Sequence, residues 1–127
     1  MNGRYSLTKS EEEIMELLWE KDRKMSSKEI LDYFNEHCDK DWKKQTLNTF
    51  LAKLLQAGFI DRISKDRKYL YVPLVTRMEY KQKGAEQFIR DSYSGSFMNF
   101  VSALSGGEMI SREEAEEIRK LLEENRL

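Results

Sequence analysis

Apolar residues in the first half of the chain recur at helical spacing, in three separate stretches. Ile14, Leu17 and Leu18, widened by Met15 and Trp19, predict an amphipathic helix to about Lys21. Ile30, Leu31 and Phe34 mark a shorter second helix ending near His37, and Cys38 to Asp41 form a turn. From about Trp42, the residues Leu47, Phe50, Leu51, Leu54 and Leu55 line one side of a third helix, which stops where Gly58 can take the left-handed conformation. Two helices joined by a short turn, the second amphipathic, make a helix-turn-helix. The period then falls to that of strands. Phe59-Ile60-Asp61-Arg62-Ile63 and Tyr69-Leu70-Tyr71-Val72 predict a hairpin whose tip, Ser64 to Lys68, carries Lys65, Arg67 and Lys68, and Pro73 ends the second strand.

The pattern changes again beyond Pro73. A fourth helix is expected from Thr76 to Tyr93, then a break at Ser94-Gly95-Ser96, a short apolar piece from Phe97 to Leu104, and a second break at Gly106-Gly107. A last helix places Ala115, Ile118, Leu121 and Leu122 on one stripe. The fold class expected is mainly α with a small β-hairpin wing: a winged helix-turn-helix head over residues 1–74 and a helical segment over 75–127. The second segment is too narrow to enclose a core. Its Phe88, Ile89, Phe97, Phe100, Val101, Leu104, Ile118 and Leu122 must bury against something, and a second copy is the simplest partner. A homodimer through Phe88, Phe97, Phe100, Val101, Leu104, Ile118 and Leu122 is therefore expected.

Helix starts are marked by one recurring signal, a hydroxyl residue with Glu three positions on: Thr8 with Glu11, Ser26 with Glu29, Thr76 with Glu79, and Ser111 with Glu114. In each, the hydroxyl can accept from a first-turn amide while the carboxylate reaches back to the cap amide. This matters for chemistry as well as folding, because it accounts for acidic groups that otherwise resemble catalytic pairs. Glu11-Glu12-Glu13 and Glu113-Glu114 sit at helix starts, and no His, Cys, Ser or Gly-rich constellation converges with them, so an enzyme is not expected.

Composition narrows the field further. At 127 residues the chain holds one domain, or a compact head with an appended segment. Cys38 is the single cysteine and has only His37 beside it, so neither an internal disulfide nor a zinc site can form; no metal or cofactor is implied. No apolar run is long enough to span a bilayer, and MNGRYSLTKS lacks the apolar core of a signal peptide, so a cytoplasmic protein without membrane insertion is expected. Net charge is −1, but residues 40–83 hold 11 Lys/Arg against 4 Asp/Glu, while the flanking thirds are acidic. The basic third contains the third helix and the wing, so local field outweighs the total.

With the leucines of the third helix inward, its outward face carries Gln45, Thr46, Asn48, Thr49, Ala52, Lys53 and Gln56. The amides of Gln45 and Asn48 suit adenine, the threonines suit a thymine methyl or a phosphate, and Lys53 suits phosphate or guanine. Lys43, Lys44, Lys65, Arg67 and Lys68 supply attraction to any phosphate backbone. These residues form the candidate interface with double-stranded DNA. An ordinary solvated helix face has the same polarity; the basic hairpin immediately after Gly58 favours DNA. A winged-helix protein–protein module without operator specificity is the alternative, and it would be expected to expose aromatics on this face.

The order LTKSEEEIMELLW, SSKEILDYF, TLNTFLAKLLQAGFIDR and KYLYVPLV resembles the penicillinase repressor family of bacterial transcriptional repressors, and the similarity continues to the end of the chain. The family pattern of two threonines and a basic residue is met by Thr46, Thr49 and Lys53. The resemblance implies a homodimer that binds a palindromic operator through two winged-helix heads and blocks transcription of resistance or stress genes. Asn48 and Lys53 stand where members with antibiotic-resistance operators tend to have arginines, which bears on operator sequence rather than fold. The copper-responsive branch has a C-terminal cysteine cluster that LLEENRL lacks, which disfavours copper sensing. In the β-lactam branch a membrane sensor-protease pathway leads to cleavage of an Asn-Phe bond, and Asn99-Phe100 lies in the corresponding stretch.

Overall fold

The computed structural model describes residues 6–107 and 109–125. In chain order the elements are α1 (Lys9–Lys21), β1 (Met25–Ser26), α2 (Ser27–His37), α3 (Lys44–Gln56), β2 (Ile60–Lys65), β3 (Lys68–Pro73), α4 (Arg77–Tyr93), α5 (Phe97–Ser105) and α6 (Arg112–Asn125). They fall into two compact units, Met1–Gly84 and Ala85–Leu127.

In the first unit, α1, α2 and α3 pack over a small antiparallel sheet of order β1-β3-β2. The core is built from Ile14, Met15, Leu17 and Leu18 of α1, Ile30 and Phe34 of α2, and Leu47, Leu51 and Leu54 of α3, closed by Phe59, Ile60 and Tyr71. Phe50 and Leu55 of the expected stripe lie at its margin, half-buried. Emptying one of the central positions, as in Leu51→Ala, carries a cost of about 2–5 kcal/mol. The start of α4 is fastened to the same unit: Trp19 Nε1 donates to the Val75 carbonyl at 2.7 Å, and Arg77 reaches Glu16 at 2.8 Å.

All four expected capping boxes are formed, with Thr8, Ser26, Thr76 and Ser111 each exchanging hydrogen bonds with the Glu three residues on. The end of α3 also follows from its sequence. Gly58 has φ 83°, its amide donates to the Leu55 carbonyl, and the Phe59 amide donates to the Leu54 carbonyl at 3.0 Å. This double closure turns the chain sharply into β2 and returns Phe59 to the core.

Three local features differ from the sequence reading. First, α3 begins at Lys44 rather than near Trp42, and Lys43 caps it without a side-chain hydrogen bond. The reason is tertiary: the Asn35 side chain donates to the Trp42 carbonyl at 3.0 Å and accepts from its amide at 2.9 Å, holding that residue out of the helix. Second, the wing is tighter than the expected five-residue tip. Its strands extend to a Lys65–Lys68 pair, leaving only Asp66 and Arg67 in the turn, both at positive φ (52° and 66°). Third, Met25 and Ser26 add a strand, pairing with Tyr71 and Leu70.

In the second unit, Ser94 (φ 51°) and Gly95 (φ 79°) break the chain after α4, and Ser96 Oγ accepts from the Asn99 amide to start α5. Phe100 stands in a ring cluster with Phe88, Tyr93 and Phe97, at centroid distances of 6.0, 5.5 and 6.3 Å. No residue of α4 or α5 is buried, and Phe88 and Phe97 are about half exposed at 49% and 46%.

Candidate nucleic-acid interface

Helix α3 is held from behind by Leu47, Leu51 and Leu54, each 1% exposed. Its angle to α2 is set by aromatic packing: the Phe34 and Trp42 centroids are 4.6 Å apart, and those of Trp42 and Phe50 5.3 Å. That anchoring leaves Gln45, Thr46, Asn48, Thr49, Ala52, Lys53 and Gln56 exposed, the face expected from the sequence. Within it, Thr49 has a fixed orientation, because its hydroxyl donates to the Gln45 carbonyl at 2.9 Å. The methyl and the hydroxyl lone pairs remain for a ligand.

The cations around this face are exposed and mostly unpaired. Among the described residues no ion pair is seen for Lys44, Lys53, Lys65, Arg67 or Lys68; Lys43 lies 3.9 Å from Asp41, but with side chains 78% and 95% exposed that contact is weak. Lys28, at the start of α2, differs: one of its N–H groups donates to Asp32 at 2.7 Å, which raises its pKa above the ordinary 10.5. Asn48 and Ala52 of α3 share a cleft with Arg62, Lys68 and Tyr69 of the wing. Arg62 and Tyr69 lie outside the candidate residues expected from the sequence. Their signal was the period-two alternation, which puts both on the same face of the hairpin as Tyr71.

The remaining candidate residues lie in the second unit. Asn99 is exposed in the first turn of α5, and Phe100, Val101, Leu104, Ile118 and Leu122 are half-buried.

A helix-turn-helix followed by a short hairpin with a basic turn defines a winged helix-turn-helix head, the architecture of DNA-binding proteins that lay one helix in the major groove. The penicillinase repressor family matches residues 7–124, and the chain belongs to that family, whose members are DNA-binding transcriptional regulators rather than enzymes. The methicillin resistance regulatory protein MecI of Staphylococcus aureus (strain N315) is 31% identical over 95% of this chain and 96% of its own length. The penicillinase repressor of Bacillus licheniformis is 22% identical over 94% of this chain and 91% of its own, and that of Staphylococcus aureus 24% over 95% and 94%. Among the described residues no helix is long and apolar enough to cross a membrane.

Proposed function

We propose that this chain is a homodimeric repressor that occupies a palindromic operator upstream of resistance or stress genes and is released by proteolysis. The observation that carries the reading is the exposed row Gln45, Thr46, Asn48, Thr49 and Lys53, on a helix locked by its opposite side and flanked by a wing with free cations. Amides and threonines there suit base edges, and Lys43, Lys44, Lys65, Arg67 and Lys68 suit phosphates. The absence of aromatic residues from this row weighs against a protein-binding module. The names of the relatives, methicillin resistance regulatory protein and penicillinase repressor, support resistance genes as the target.

Dimerisation through Phe88, Phe97, Phe100, Val101, Leu104, Ile118 and Leu122 gives the half-exposed rings of the second unit a partner and presents two heads to two half-sites. Cleavage at Asn99-Phe100, downstream of a membrane sensor-protease pathway, would cut the first turn of α5 and remove Phe100 from its ring cluster. A helix of 9 residues with none buried unwinds readily enough to enter a protease.

The test is selection of genomic duplex fragments by the purified protein, followed by footprinting. Recovered fragments should share an inverted repeat that is protected on both arms. Retention of fragments with no common sequence would overturn the operator reading, and protection of a single arm would overturn the paired-head reading.

A further inference from the structure

We propose that Arg62, held over the Tyr69 ring, forms a preset seat for one DNA phosphate in the cleft between α3 and the wing, distinct from Lys65 and Arg67 of the wing tip. The inference rests on the DNA-binding reading and adds to it a contact and the residue that positions it.

In the β2–β3 hairpin Ile60 stands opposite Pro73, Arg62 opposite Tyr71, and Ser64 opposite Tyr69. Side chains of directly opposed residues share a face of an antiparallel pair. Ile60 and Tyr71, 1% and 6% exposed, fix that face as the one turned toward the helices. Arg62 and Tyr69 therefore continue the core-facing side of the wing outward, beyond the point where the core ends. They line a cleft of about 400 Å³ whose other walls include Ser27, Asn48, Ala52 and Lys68. One wall is thus the outward row of α3 and the other is the wing.

Within this cleft Arg62 is already oriented. Its guanidinium carbon lies 4.1 Å from the centroid of the Tyr69 ring, within cation–π range, and among the described residues no carboxylate pairs with it. A cation held over a ring face spends no N–H donor on a carboxylate, so the donors of Arg62 remain available for phosphate oxygens. If α3 lies in the major groove and the wing beyond it, the sugar-phosphate strand bordering that groove passes between the two, over Ala52, where the small side chain permits close approach. A cation held in place before binding loses less side-chain entropy on contact than the free lysines at the wing tip.

The test uses a duplex selected by the wild-type protein from a random-sequence pool, with each phosphate in turn replaced by an uncharged methylphosphonate. At the phosphate seated in the cleft, the replacement is expected to weaken wild-type binding about 10-fold. It should have no further effect on Arg62→Ala or on Arg62→Gln, which retains much of the side-chain length; penalties at other phosphates persist. Tyr69→Phe keeps the ring and should bind like wild type, whereas Tyr69→Leu should lose several-fold at unchanged thermal stability. Arg62→Lys restores charge without the planar fork of donors and should recover binding only in part. Identical interference profiles for wild type and the Arg62 variants, or equal losses for Tyr69→Phe and Tyr69→Leu, would overturn the seat. Failure of the wild-type protein to select any duplex would overturn the DNA reading itself, and the seat with it.

Discussion

In the proposed interface Thr49 would meet DNA with the hydroxyl hydrogen already committed to the Gln45 carbonyl, so the group it can offer most freely is its methyl. A methyl at the edge of a recognition helix pairs with the methyl of thymine. Thr49→Val keeps that methyl and should preserve base preference, whereas Thr49→Ser removes it and should lose about 1 kcal/mol of discrimination at one operator position. Gel shifts on a duplex carrying deoxyuridine in place of the contacted thymidine check the assignment. Wild type and Thr49→Val should both weaken, and Thr49→Ser should be indifferent; equal sensitivity of all three would contradict it. A second residue sets a pH response. The Glu29 carboxylate accepts the Ser26 amide at 3.0 Å and meets Arg23 at 2.9 Å. The Ser26 amide, above all, holds its pKa below the ordinary 4.5. A depressed folded-state value means that ionised Glu29 stabilises the fold above pH 4.5, and that this contribution is lost as pH falls through the folded value. Gln in its place can still accept the amide but cannot titrate. Glu29→Gln should therefore show a shallower drop in melting temperature than wild type between about pH 5 and pH 3. Parallel curves from thermal melts would refute the linkage.

Among the elements, those set by local chemistry were readable in the sequence and those set by distant contacts were not. Capping boxes involve residues three apart, and the closure at Gly58 involves the last turn of one helix, so their residue types announce them. The stripe of α3 was readable because one side of that helix is packed throughout its length, and the polar row opposite it follows by geometry. The strand Met25–Ser26 is too short to show a period and exists only because β3 offers an edge. The start of α3 is decided by Asn35, from the preceding helix. Arg62 looked like an ordinary strand residue until the pairing fixed which way it faces. The wing illustrates a conflict between the two levels. A two-residue turn with both positions at positive φ favours glycine second, yet Arg67 occupies it at φ 66°. An L-residue in that region costs about 1–2 kcal/mol. Arg67→Gly should therefore raise the melting temperature by several degrees. The same change should weaken binding to all duplexes alike and reduce the magnitude of the salt slope by about 0.9, the value for one phosphate contact. Melting curves and salt titrations of this variant read the two effects separately, and a loss of stability would show that the arginine is not strained.

At the scale of the whole molecule, the core lies in the first unit, and the proposed dimer contacts lie in the second. Among the described residues every core residue, from Ile14 to Tyr71, belongs to the first unit, whereas α4 and α5 contain no buried residue. The first unit therefore has what it needs to fold by itself, and the second has rings that a partner would cover. This division is what would make cleavage an effective release: cutting the second unit leaves the reading head intact but alone. Two linked heads gain from effective concentration, because once one half-site is bound the other head searches a small volume; the gain in avidity is roughly 100-fold or more. A fragment of residues 1–84 should melt cooperatively and protect a single half-site, with affinity for the full inverted repeat reduced by about that factor. Phe100→Asp places a charge among Phe88, Tyr93 and Phe97, so the full-length variant should behave like the fragment in binding and run as a monomer in light scattering. Joining two 1–84 fragments with a flexible linker long enough to span the half-sites should restore most of the lost affinity without any residue of the second unit. If the linked heads bound no better than the single one, avidity could not be the source of operator occupancy, and the second unit would have to contact DNA itself.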